Sequence, residues 1–516
     1  MQAAHRVAKN TGILYARMAI TVFISLYATR LVLAALGVAD FGLFNVVGGV
    51  IAMLGFLNSS MAAATQRFMS FAQGAGDLEK VKRIFNMSTV LHAGIAVLMV
   101  LVLEITGYFF LNEILNIAPD RLEVAKIIYH FMVISTFFTV LSVPYEAVIT
   151  SHENMLFYAI LGILESVLKL GIALYLSYSA FDHLIAYGFL MAALSIFLLI
   201  LRRIYCHRTY AECVLDFRKY YEKNLMKEIS SFAGWSLLDS SSSMISNFGQ
   251  GLILNVFFGT LINAAQGIAL QICGQLAAFS NTMLKALNPL IDKSAGARNK
   301  ELVIKITFLG CKISYLLFAI LVIPVIIELP YIFKIWLNTV PNYAVIFCRL
   351  LLIRTLIEMM FVSLSSSINA FGNIKKIKIY SSLINILPLI ISYFLFKNAF
   401  PPYSLYIVFI FISIIIAFTT LYFANKFVGI SLRDFFFDVI SKCVVVTVLT
   451  STTLLLPIYF FEEGLLRLCI CLISAFSSFL FFVWNFGFKS EERKIIQQLI
   501  QTQILNKISP DIISTK

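Results

Sequence analysis

Charge is what this chain has least of. Only 13% of its 516 residues are Asp, Glu, Lys or Arg, against roughly 25% for an ordinary soluble domain. A water-soluble fold of this length is therefore excluded. The ten-residue segments of alternating apolar and polar residues that a transmembrane β-barrel needs are also missing. Eight cysteines are present, but most fall inside predicted helices, so there is no disulfide framework. Cys206, His207 and Cys213 lack a fourth ligand at any usual metal spacing. The longest outer connections, 112–120 and 328–342, are short and carry no His or acidic cluster. An enzyme, a metal centre and a bound cofactor are accordingly not expected. The start has no short apolar region followed by a small-residue cleavage site, so the first helix is expected to serve as an uncleaved insertion signal.

What the chain does have is apolar length. Hydrophobic residues make up 60% of it, and mean hydropathy is +0.89. Runs of about 20 residues recur, enough to cross roughly 30 Å of hydrocarbon as helix. The reading is an all-α polytopic membrane protein with fourteen spans between residues 13 and 487. The first two, around Leu36-Gly37 and Phe41-Gly42, form a tight hairpin. The net charge of +13 is gathered in alternate connections, such as Lys80, Lys82 and Arg83, then Lys293, Arg298 and Lys300, then Lys375, Lys376 and Lys378. That alternation is the positive-inside pattern, so it reports topology and not a nucleic-acid partner. Both termini are expected on the cytoplasmic side, which requires an even number of spans.

A shift of 222 positions brings Gly12 onto Gly234, Gly37 onto Gly259, Gly74 onto Gly296, Glu79 onto Glu301 and Asn116 onto Asn338. Six spans in each copy is an even number, so the two copies enter from the same side. They should form two six-helix bundles related by a pseudo-two-fold along the membrane normal. The expected divisions are a lobe over 1–205, a basic linker over 206–228, a second lobe over 229–426, helices thirteen and fourteen over 427–487, and a tail over 488–516. The linker, with Tyr220 and Tyr221 among its cations, suits an anionic leaflet. The tail reads either as an amphipathic surface helix or as a short soluble helix.

A charge near mid-membrane costs at least about 2.5 kcal/mol, so each one needs a reason. Lys285 and Lys305 can snorkel from span ends, and Gln66 and Arg67 approach the inner end of span two. Others lie deeper. Arg354 and Glu358 share a helix face at i,i+4, as do Glu165 and Lys169. Each pair reads either as a cleft-lining group or as a structural ion pair. Asp239 has no partner within its helix and precedes four serines, Asn247 and Gln250, a polar run suited to a cleft. Gln271 and Gln275 share a face of span eight. Arg30 either snorkels outward or lines the cleft, and Arg349 joins the basic groups of the interior. A wall of arginines, amides and hydroxyls suits phosphate and sugar better than an apolar or cationic cargo.

Arg30-x5-Leu36-Gly37-x3-Phe41-Gly42, the doubled six-span plan and the extra helix pair resemble the polysaccharide-exporter branch of the multidrug/oligosaccharidyl-lipid/polysaccharide superfamily, in particular its O-antigen and capsule-type flippases. The resemblance implies two lobes that rock between inward- and outward-open states. It also implies transfer of an undecaprenyl-diphosphate-linked oligosaccharide across the bacterial inner membrane. Membrane lipids and glycan polymerase or assembly proteins are the further partners implied. Arg30 matches the arginine before the Leu-Gly turn. Drug exporters of the same fold often use an acidic residue in the first or second helix. Here spans one and two have none between Gly12 and Leu36 or between Phe41 and Gly74. A cation-coupled drug or small-solute antiporter, using Na+ or H+ at Asp239 or Glu165, is the alternative.

Overall fold

The computed structural model describes residues 2–53, 55–114, 121–337, 340–372, 374–490 and 492–493. The tail beyond 493, and the Asn116 and Asn338 of the repeat, lie outside the described residues. All regular elements among them are helical. They are α1 Gln2–Met53, α2 Gly55–Gly74, α3 Leu78–Phe109, α4 Leu122–Ser151, α5 Met155–Leu176 and α6 His183–Thr209. The second series is α7 Lys223–Phe258, α8 Thr260–Gly296, α9 Lys300–Trp336, α10 Ala344–Phe371, α11 Lys375–Lys397 and α12 Ser404–Val428. Two last segments, α13 Leu432–Phe460 and α14 Leu465–Gly487, follow.

Eleven helices among the described residues are long and apolar enough to cross a membrane. The stretch 38–74, α7 and α10 are not among them. These three carry Gln66 and Arg67, the Asp239 serine run with Asn247 and Gln250, and Arg349, Arg354 and Glu358, polar groups that need protein or water against them.

The internal repeat is written in the backbone. Gly37 breaks α1 at φ 76, ψ 168, and Gly259 separates α7 from α8 at φ 79, ψ −174. That region is open essentially to glycine alone. Thirty-nine residues later the match holds again: Gly76 has φ 73 and Arg298 has φ 57. Asp77 then caps α3 by accepting from the Lys80 N–H at 2.9 Å, as Asn299 caps α9 from the Leu302 N–H at 3.1 Å.

Helices α1 and α3 to α6 pack chiefly on one another, α1 on α5 and α4 on α6 and α3, while α2 crosses to pack on α8 and α7 as well as on α4. In the second series α10 is central, touching α8, α9 and α12, with α7 against α11. Helix α14 and the segment just after it are tied to α9 by buried charge. Fully buried Glu328 accepts from Arg467 of α14 at 3.0 Å. Lys312, also buried, donates to both oxygens of Glu492 at 2.9 and 2.8 Å. Each charge has its counter-ion, which offsets the cost of burying it.

The hydrogen bonds and ring contacts that join the two series, among the described residues, run from Tyr15–Phe279, midway along α8, to the end bearing the basic connections. They include Lys293 to Glu153 at 2.8 Å, Gln66 to Asp292 at 3.1 Å and Phe68 edge-on to Phe232 at 5.5 Å.

Candidate functional site: a cleft wall and a basic-end chamber

The orientation of α1 and α8 follows from where they touch. The Tyr15 hydroxyl donates to the Phe279 carbonyl at 2.9 Å, and Thr282 Oγ1 lies 3.6 Å from Met18 Sδ. At 3.6 residues per turn, Gln271 and Gln275 fall within about 20° of Thr282 on α8. They therefore continue the α1-facing surface away from the basic end, and both are exposed there. Arg30 lies about 60° round α1 from Tyr15. It is exposed and makes no hydrogen bond or ion pair with any described residue. On α7 the exposed residues Ile245, Phe248, Leu252 and Val256 form the apolar stripe. Asn247 sits about 200° from Ile245, on the opposite side. It is also exposed, and its Oδ1 accepts from Gln250 at 3.3 Å.

The other charges singled out in the sequence are engaged. Lys169 donates to Glu165 at 2.7 Å within α5. Asp239 accepts from Lys378 of α11 at 2.7 Å and from Ser381 at 2.5 Å, a partner on another helix that helical spacing could not reveal. The serine run behind it also faces α11. Ser242 donates to the Ser382 carbonyl at 2.5 Å, and Ser243 Oγ lies 3.2 Å from Asn385. Arg354 Nε donates to Glu358 at 2.8 Å and to Ser413 of α12 at 3.2 Å, with its guanidinium 4.6 Å from the Phe409 ring. Arg349 binds the Ile326 carbonyl at 2.9 Å and that of Ile327 at 3.4 Å. Ile326 stands four residues before Pro330, which has no N–H to give it, so Arg349 satisfies an acceptor that the proline strands inside α9.

A cluster that sequence reasoning passed over lies at the basic end. Arg67 of α2, placed in the sequence only as approaching a span end, is 7% exposed. Its Nη2 donates to the Ala370 carbonyl of α10 at 2.8 Å. Its guanidinium stacks 4.6, 5.0 and 5.3 Å from the rings of Phe68, Phe71 and Phe232. Its Nε is buried with no partner. Gly372, at φ 81, makes room for it, since a Cβ there would come within 2.8 Å of Nη2. Three cavities of about 210, 380 and 480 Å³ share Arg67 as a wall. The signal available in the sequence was a lone arginine in a span with no acidic residue to pair it.

The linker is docked, not free. Glu212 is buried and bonds His152, with Gln73 Nε2 at 3.4 Å. Burial pushes its carboxyl up, but the bonds from His152, its own backbone and Gln73 outweigh that and hold it below the ordinary range. Tyr220 is buried, and Tyr221 is exposed. At the opposite end Arg121 joins Asp40, beside the Leu-Gly turn, to Asp182 at 2.6 Å.

Residues 15–175 match the MatE family model. Comparison with curated proteins finds no match. Among solved structures, a MATE protein in the straight conformation is 14% identical, with a TM-score of 0.71 over 82% of this chain and 96% of that one. An outward-facing multidrug-resistance MATE transporter of the MOP superfamily is 13% identical, with a TM-score of 0.70 over 82% and 95%. A MOP superfamily transporter from Pyrococcus furiosus, described by the reversed polarity of its binding pocket, is 13% identical, with a TM-score of 0.69 over the same shares. The chain has the fold of the MATE transporters.

Proposed function

We propose that this protein is a flippase that carries a lipid-diphosphate-linked oligosaccharide, an O-antigen, capsule or exopolysaccharide repeat unit, from the inner to the outer leaflet of a bacterial inner membrane by alternating access. One observation carries the reading. Every carboxylate singled out in the interior is neutralised by a lysine or arginine, at Glu165–Lys169, Asp239–Lys378 and Glu358–Arg354. Arg30, exposed beside the α8-facing surface of α1, has no partner among the described residues. The uncompensated charge of the cleft wall is therefore positive, which favours an anionic cargo such as a diphosphate. Exposed Gln271, Gln275 and Asn247 offer donors and acceptors to sugar hydroxyls without demanding one glycan.

The contacts at the basic end, with exposed amides beyond them, correspond to a state closed on that side. With the basic side in the cytoplasm, the orientation that the positive-inside pattern supports, this is the state that releases cargo outward. Rocking of 1–205 against 229–426 would open the basic side.

The test is lipid-linked glycan in a deletion strain. Cargo should accumulate facing the cytoplasm, with export restored by the wild-type gene but not by Arg30→Ala. Normal glycan export in a deletion without a paralogue overturns the reading. Drug sensitivity with unaltered surface glycan would point instead to an antiporter. That alternative has less support here, because the two acids it would use each hold a lysine at 2.7 Å.

A further inference from the structure

We infer that the chamber around Arg67 is a phosphoanion-binding site on the basic side, distinct from the cleft wall, and that its occupation releases the latch holding the two lobes together. The inference rests on the proposed function only for the identity of the natural cargo, not for the chemistry of the site.

The chamber has the composition of an anion site. Around Arg67 its walls carry Lys80, Lys227, Lys375 and Lys378, against Glu228 and Asp292 as the only carboxylates among the described residues lining the three cavities. Lys378 is committed to Asp239, and Asp292 accepts from Gln66 at 3.1 Å. Lys80, Lys227 and Lys375 are held in no ion pair among the described residues. Arg67, which lines all three cavities, has a buried Nε with no partner. A buried N–H left without an acceptor is unfavourable, and a phosphate oxygen that displaced the groups covering Nε would supply one. Arginine presents its donors as a planar fork, the shape that phosphate oxygens accept in pairs.

The same guanidinium fastens the lobes. It belongs to α2 but donates to Ala370 of α10 and lies against Phe232 of α7. An oxygen pair that captured its fork would compete with the Ala370 carbonyl. A ligand bound more tightly when that bond is broken shifts the population toward the state open on the basic side. Cargo arriving there would thus open its own entrance.

The experiment uses the full chain in nanodiscs with Trp336→Phe and Trp484→Phe, leaving Trp235 as the sole tryptophan. Trp235 lines the chamber with the Lys375 ammonium 5.1 Å from its ring, so an anion that draws the lysine away should change its emission. The probe is inorganic pyrophosphate. In phosphatidylcholine discs the response should saturate, and Arg67→Gln should weaken it at least 10-fold. Should Arg67→Gln fail to fold, Lys227→Gln, exposed on α7 and lining the same cavity, should weaken it about 3-fold while leaving the Lys375–Trp235 contact in place. In discs containing phosphatidylglycerol, competition with pyrophosphate identifies a lipid headgroup as a ligand, and its absence identifies a soluble phosphoanion. A response that does not saturate, or that is unchanged in both variants, overturns the inference. If export fails on deletion yet Trp235 is silent, this site alone falls. If Trp235 responds and export is normal, the site stands and the flippase reading falls.

Discussion

Gly74 of α2 and Gly296 of α8 each press into the backbone of the other's helix. A Cβ on Gly74 would lie 2.0 Å from the Lys293 carbonyl oxygen, and one on Gly296 would lie 1.9 Å from that of Phe71. Gly74 and Gly296 are equivalent positions of the repeat, and so are Phe71 and Lys293. The contact therefore maps onto itself under the repeat, as an isologous interface does.

Gly74→Ala or Gly296→Ala should hold the basic end apart without unfolding either lobe. Overpacking costs about 1–3 kcal/mol, or roughly a 5- to 150-fold change in the closed-to-open ratio. Thiol labelling of Gln66→Cys from the basic side should rise accordingly. Labelling that stays at the Gly74 level in both variants would mean the helices do not separate there.

The two strained glycines make a sharper comparison. Gly37→Ala and Gly259→Ala should each lower stability by about 1–3 kcal/mol through the backbone alone, because nothing lies within 4 Å of a Cβ at either position. Gly76→Arg should cost less, since its counterpart Arg298 already tolerates φ 57. Thermal unfolding in one detergent, compared across the three variants, checks the order.

What the sequence revealed was set by periodicity and by backbone chemistry. Turns such as Gly37 and Gly259 were legible because a positive φ asks for glycine, and the 222-residue offset followed from them. The i,i+4 pairs Glu165–Lys169 and Arg354–Glu358 were legible because helical spacing alone brings them together. Asp239–Lys378 was not, since 139 positions separate its members and only the packing of α7 on α11 joins them. Arg349 was read with the cleft, but a carbonyl freed by Pro330 can be matched to it only once α9 and α10 are side by side. Arg67 was set aside as a span-end residue because depth along one helix says nothing about which neighbours close over it.

The Asp239–Lys378 pair should behave as a unit. Lys378→Gln leaves a half-buried carboxylate uncompensated, so it should destabilise more than Asp239→Asn together with Lys378→Gln. A coupling of about 0.5–3 kcal/mol in the double-mutant cycle is expected. Additive effects would show that the two charges are solvated separately.

Linker docking should depend on pH through Glu212. Its carboxyl is held below the ordinary value of 4.5, because the bonds from His152, its own backbone and Gln73 outweigh the opposing effect of burial. A carboxylate depressed on folding contributes stability that is fully present above its unfolded pKa, and that is lost as pH falls through its folded pKa. Amide protection of 210–216 should thus be constant near neutrality and decline once pH drops below about 4.5. Glu212→Gln keeps the shape but removes the titrating group. It should lower protection at pH 7, because a neutral amide bonds His152 less strongly than a carboxylate does. It should also flatten the acid limb of the profile. Hydrogen exchange followed from pH 7 to pH 4 reads both effects, and an acid limb that persists unchanged in the variant would assign the loss to a different carboxylate.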